Sequence, residues 1–138
     1  QLRSHPLCRA LRVSAPIDAA LAATLDAYAG NRVVEEIPFW RMAQAPIDSL
    51  RERASLYLSA PGASIVESSS MIGAGSAPSE RLESIAIRFE DRGDLFEALL
   101  HGDPPVLARR DHGDLLLDLR SVDPEDDENL SAILAQCL

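Results

Sequence analysis

Asp103-Pro104-Pro105-Val106-Leu107-Ala108-Arg109-Arg110-Asp111-His112-Gly113-Asp114-Leu115-Leu116-Leu117-Asp118-Leu119-Arg120 is the stretch whose reading decides the fold. It reads as a β-hairpin. Val106, Leu107 and Ala108 form a short apolar first arm. On the return arm Leu115, Leu117 and Leu119 alternate with Leu116, Asp118 and Arg120, and a period of two sets three leucines on one face of a sheet. Asp111-His112-Gly113-Asp114 supplies the turn, with Gly113 free to take positive φ. Pro104 and Pro105 cannot donate to a ladder and mark where the strand begins.

The flanking segments are expected to be amphipathic helices that cover the leucine face. Downstream, Asp123-Pro124 opens a last helix, with Asp123 as N-cap and Leu130, Ile133, Leu134 and Cys137 on its buried face. Upstream, residues 94–101 form a short helix with Leu95, Phe96, Leu99 and Leu100 inward. Before it, Ile85, Ile87 and Phe89 alternate along a strand over 84–90, and 63–71 is a serine-rich strand. Two further helices start at the echoed words Ala15-Pro16-Ile17-Asp18 and Ala45-Pro46-Ile47-Asp48. Their stripes are Ile17, Leu21, Leu25 and Tyr28, then Ile47, Leu50, Ala54 and Tyr57. Residues 33–44 link them with a short helical turn. The order is helix, helix, strand, strand, helix, strand, strand, helix. That order predicts an α+β fold, a mostly antiparallel sheet with helices packed on one side. The change of period at residue 63 divides the chain into a helical lead-in and linker, 1–62, and an α+β small domain, 63–138.

A chain of 138 residues carries a net charge of −9. All thirteen of its basic residues are arginines, so lysine chemistry is absent. An acidic domain is a poor generic nucleic-acid binder. Arg3, Arg9 and Arg12 lie in a first segment without acids, which is where an anion would be drawn. Arg9 and Arg12, three apart, share a face if that segment is helical. Cys8 and Cys137 have neither metal spacing nor a disulfide framework and read as thiols in a reducing cytoplasm. No apolar run reaches the ~18 residues of a transmembrane helix. Gln1-Leu2-Arg3-Ser4-His5 leads into no apolar h-region, so no secretory signal is expected. Gln1 in place of Met suggests a piece of something longer.

The residues offer little chemistry by themselves. Gly73-Ala74-Gly75-Ser76-Ala77-Pro78 reads as a phosphate cradle or an ordinary strand connection, and it meets neither the P-loop nor the dinucleotide pattern. His5, His101 and His112 are not spaced as ligands, and residues 123–128 match no calcium loop. Arg109 and Arg110 point to opposite faces and read as partners of nearby acids. No nucleophile, base and orienter stand together.

Several words, in order along the chain, resemble those of bacterial selenocysteine synthase, the L-seryl-tRNA(Sec) selenium transferase family. His5-Pro6-Leu7-Cys8-Arg9-Ala10-Leu11-Arg12-Val13 resembles "HPLxRALRVDK", and Glu35-Glu36-Ile37-Pro38 with Arg41-Met42 resembles "EEIPxxRM". Residues 73–78 resemble "GGGSLP", 102–106 "GDPPVI", and 115–120 "LLLDLRTV". The chain departs from these words at Ser14, Ala15 and Ala74. The resemblance implies the C-terminal part of a fold-type I pyridoxal 5'-phosphate (PLP) enzyme whose cofactor lysine lies upstream. This chain alone would then be inactive. It also implies that water is lost from the seryl group of seryl-tRNA(Sec) and that selenophosphate donates selenium, in a cytoplasmic homo-oligomer. Arg9 and Arg12 become the expected substrate-binding residues, holding the donor's oxyanion. Gly73, Gly75 and Ser76 become an active-site loop. Two other readings stay open: a related PLP enzyme acting on another amino compound, and a stand-alone α+β binding module.

Overall fold

A computed structural model describes residues 5–73 and 80–138, with the side chains of residues 9 and 10 outside the description. The chain forms two compact units, Gln1–Arg41 and Met42–Leu138.

In the second unit four strands make one sheet: β1 (Ser64–Met71), β2 (Arg81–Glu90), β3 (Arg109–Asp111) and β4 (Asp114–Asp118). Their order is β1-β2-β4-β3 and every pairing is antiparallel. The hairpin is present, with its first arm displaced. Val106 donates its N–H to Leu99 O at 2.8 Å, which ties 106 to the preceding helix and keeps it out of the ladder. Pairing begins at Arg109↔Leu116 and closes at Asp111↔Asp114. The turn is therefore the two residues His112 and Gly113, with φ of 52° and 92°. Positive φ at both central positions is the turn whose twist matches that of the strands. Leu119 leaves the ladder for a 3-10 turn but stays buried on the leucine face.

That face makes the core. Ile85, Ile87 and Phe89 from β2 and Leu115 and Leu117 from β4 pack with three helices. These are α5 (Ile47–Ser55), α6 (Leu95–Leu100) and α7 (Asp127–Cys137). They contribute Leu50 and Ala54, Leu95 and Leu99, and Leu130, Ile133 and Leu134. The expected α+β arrangement is thus observed, with two local corrections. Leu100 is exposed, whereas Phe96 packs against the core as expected, half-buried, with the Arg110 guanidinium 4.0 Å from its ring centroid. Asp123 caps a 3-10 turn at Pro124–Asp126 by accepting from Glu125 N, and α7 starts only at Asp127. α5 gives its apolar face to the sheet of this same unit.

An ion pair fastens α5 to α7. Arg53 Nε and Nη2 donate to the two carboxylate oxygens of Asp127, each at 2.7 Å. The same guanidinium reaches Leu119 O and Val122 O, and Tyr57 Oη donates to Asp127 Oδ1 at 2.8 Å. Burial alone would raise the Asp127 pKa. The bonds from Arg53 and Tyr57 outweigh it and hold the carboxyl below its ordinary value. Burial, then the bond to Asp127, pushes the Tyr57 phenol far above its own.

The first unit is built differently. It holds α1 (Leu7–Ala10), α2 (Ala15–Ala29) and α3 (Val33–Glu36), and α4 (Pro38–Ala43) begins in it. Trp40 Nε1 donates to Tyr28 Oη at 2.6 Å, and Arg32 bridges Asp26 and Glu36. Ala27 is the single buried residue among its described side chains. The α2 stripe is not covered within this unit: Ile17, Leu21, Leu25 and Tyr28 are 49–60% exposed.

Candidate functional site

Arg9 and Arg12 do not share a helix. Arg9 belongs to α1, which ends at Ala10, and the C-cap is Leu11. Arg12 follows in irregular chain with its side chain exposed. The three-residue spacing therefore sets no common helical face; what remains is two cationic positions in a short, acid-free segment. The Arg9 side chain lies outside the described residues, as do Gly75 and Ser76. Gly73 is described: it follows β1 and is half-buried.

Gly73 lies between β1 and β2, whose neighbouring ends pair. Ser70 pairs with Leu82 and Met71 with Arg81. On the sheet face opposite the core, the Asp118 carboxylate accepts from Ser70 Oγ at 2.7 Å, from Ser84 Oγ and from Arg120 N. Its two oxygens thus accept three hydrogen bonds, two of which tie β4 to β1 and β2. Arg120 completes the base. This residue is 8% exposed, and its guanidinium donates to backbone carbonyls. Nε and Nη2 donate to Glu83 O, and Nη1 donates to Met42 O, Ala43 O and Ala45 O at 2.9–3.1 Å. One planar fork thus ties the lead into α5 to β2 beside the loop stem.

These two residues were missed by reading the strand as simple alternation. The alternation places Asp118 and Arg120 off the leucine face, as observed, but says nothing of burial. The available signal was the pairing of opposite charges two apart within a leucine run. A strand residue that leaves the leucine face for a second packed layer needs a partner.

Further along the same face, Arg109 Nη2 donates to Ser68 Oγ at 2.9 Å and Arg88 Nε to Ser64 Oγ at 3.0 Å. Arg110 pairs with Asp91 at 2.8 Å, as expected for an arginine beside acids, whereas Arg109 takes serine and carbonyl partners. His101 and His112 are exposed. Among the described residues, no group of three or more His, Cys, Asp or Glu could hold a metal ion. No helix among them is long and apolar enough to cross a membrane.

The described side chains therefore define an α+β domain with a hydrogen-bonded polar layer on the sheet face opposite its core, and a thinly packed helical unit carrying an exposed arginine. A family model described as L-seryl-tRNA selenium transferase matches residues 1–123. A relative in Moorella thermoacetica named L-seryl-tRNA(Sec) selenium transferase is 40% identical over 150 residues, covering 99% of this chain and 32% of its own length. Relatives of the same name in Klebsiella pneumoniae (strain 342) and Shewanella oneidensis are 39% and 35% identical and cover 91% of this chain. The chain belongs to the L-seryl-tRNA selenium transferase family. It spans about a third of the length of the curated relatives it matches.

Proposed function

We propose that this chain is the C-terminal part of a PLP-dependent transferase that converts seryl-tRNA(Sec) to selenocysteinyl-tRNA(Sec) with selenophosphate. The observation that carries the reading is the family match over residues 1–123, joined by 40% identity across nearly the whole chain. The chain offers PLP no lysine, so covalent attachment of the cofactor falls to the rest of the polypeptide, and this piece alone is inactive. When bound there, the cofactor supplies the electron sink for loss of water from the seryl group.

The part given to this chain is recognition. Arg9 and Arg12 hold the oxyanion of the selenium donor; a guanidinium presents a planar fork of N–H donors that suits phosphate oxygens. The acid-free sequence around them favours an anion over a competing internal carboxylate. Gly73, Gly75 and Ser76 belong to a loop at the active site, and Asp118 and Arg120 hold its stem from beneath. Residues 1–62 join the cofactor domain to the small domain at 63–138. The assembled enzyme is a cytoplasmic homo-oligomer.

The test is selenium transfer by the full-length protein. With selenophosphate and seryl-tRNA(Sec), it is expected to form selenocysteinyl-tRNA(Sec). Turnover of a free amino compound, with none of the charged tRNA, would establish the related-enzyme reading instead.

A further inference from the structure

We propose that Arg88 and Arg109 form a phosphate-binding pair on the sheet face opposite the core and hold the sugar–phosphate backbone of a tRNA there, the identity of this polyanion resting on the reading above.

The chain holds 22 acids against 13 arginines, and carboxylates claim the guanidinium groups of Arg32, Arg51, Arg53 and Arg110 at 2.7–3.0 Å. Arg109 is different. Its Nη2 donates to Ser68 Oγ at 2.9 Å and its Nη1 to Ser69 O at 3.4 Å, and it makes no ion pair among the described residues. Arg88 donates through Nε to Ser64 Oγ at 3.0 Å. Its Nη1 stands 3.6 Å from Asp114, beyond the about 2.7–2.9 Å of a charge-assisted bond. Both side chains are exposed. A guanidinium presents five N–H donors, and neutral oxygens occupy only part of each fork here. The Ser68 hydroxyl, accepting from Arg109, keeps its own O–H for an incoming oxyanion.

Geometry selects the class of anion. Arg88 and Arg109 flank Leu116 in one row across the sheet, two strand spacings or about 10 Å apart at the backbone. Their serine partners are four residues apart on β1, about 13 Å along the strand. A single phosphate would have to bring its oxygens within about 2.7–2.9 Å of both groups and does not fit that spread. Successive phosphates of one strand do. The carboxylates of this face narrow the contact: Glu90, Asp111 and Asp114 lie at the hairpin end, and Asp118 already accepts three hydrogen bonds. The net charge of −9 repels a polyanion from the chain at large, so contact is favoured where guanidinium groups carry neutral partners. Phosphate contacts of this kind orient a nucleic acid and read no sequence.

The test reacts the full-length protein with phenylglyoxal and follows each arginine by peptide mass spectrometry. Arg51, exposed and paired with Asp48, is the internal standard. Without ligand, Arg88 and Arg109 are expected to react at rates comparable to Arg51. Uncharged tRNA(Sec) at about ten times its Kd should slow both about tenfold, the ratio of total to free protein, and leave Arg51 unchanged. Inorganic phosphate at matched ionic strength should protect neither. Slow reaction before tRNA is added would overturn the proposal, because another part of the polypeptide or a second copy then covers the face. Protection by inorganic phosphate would overturn it too, by assigning the pair to a single small anion. The salt dependence of tRNA binding is the second measurement. Arg88→Gln and Arg109→Gln should each weaken binding about tenfold and flatten the slope of log affinity against log salt by about 0.7–0.9, one phosphate contact. Arg109→Lys should keep the slope, because it keeps the charge. A pair that merely ties strands together would lower thermal stability and leave the slope as it was, which would refute the assignment. A full-length protein without affinity for tRNA(Sec) would overturn the reading above together with this one, whereas tRNA binding without protection of either arginine overturns this one alone.

Discussion

Leu117→Asp is expected to abolish cooperative folding of the Met42–Leu138 unit. Leu117 is 3% exposed and sits opposite Ile87 on the core face of the sheet. Removing a buried leucine side chain costs about 2–5 kcal/mol. The carboxylate that replaces it meets only apolar neighbours in that layer, and an uncompensated buried charge adds about 3–5 kcal/mol. The sum rivals the roughly 5–15 kcal/mol that holds a domain together. Leu107→Asp is the control, since Leu107 is 77% exposed and outside the ladder. Thermal melts followed by circular dichroism should show a transition for Leu107→Asp and none for Leu117→Asp. A parent-like melt for Leu117→Asp would mean the core face is wrongly assigned.

Arg120→Met is the second large effect. Methionine fills comparable space but donates nothing, so the carbonyls of Glu83, Met42, Ala43 and Ala45 lose their common partner. Each buried polar group left without a hydrogen bond costs about 1–3 kcal/mol, and water near the 42–45 segment recovers part of this. The expected loss is about 3–5 kcal/mol, read as a shift of the urea midpoint at unchanged slope. Arg120→Lys should recover a minority of it, because a single ammonium cannot span Glu83 and the 42–45 carbonyls together. A loss below about 1 kcal/mol for Arg120→Met would show that this fork does not brace the loop stem.

Most of the sheet was legible because its signals are local. Alternation at 85, 87 and 89 and at 115 and 117 named the core face, and Gly113 named the turn. The first hairpin arm was misplaced because Val106, Leu107 and Ala108 are apolar without being paired. Only the bond from Val106 to Leu99 and the two-residue turn reveal the true register. The α2 stripe shows a different limit: periodicity says which residues share a face but not whether anything covers it. The partners that Arg53, Tyr57, Asp118 and Arg120 take were out of reach for a third reason. They join residues 34 to 78 positions apart, and no local pattern encodes which arginine meets which carbonyl. Arg9 and Arg12 would share a face only on one helix, and α1 stops at Ala10.

The central claim is that the acid-free segment carrying Arg9 and Arg12 receives the selenium donor. The most direct measurement is selenium transfer to seryl-tRNA(Sec) by full-length Arg9→Ala and Arg12→Ala proteins, with cofactor content and oligomeric state measured on the same samples. Losing one donor to a developing or bound oxyanion costs about a hundredfold or more in rate. The account predicts that loss in each variant, with cofactor, assembly and thermal stability unchanged. It also predicts partial recovery in the Lys variants, which keep the charge without the fork. Undiminished transfer would contradict it, and so would a loss of activity that tracks loss of cofactor or assembly, which would make the two arginines structural.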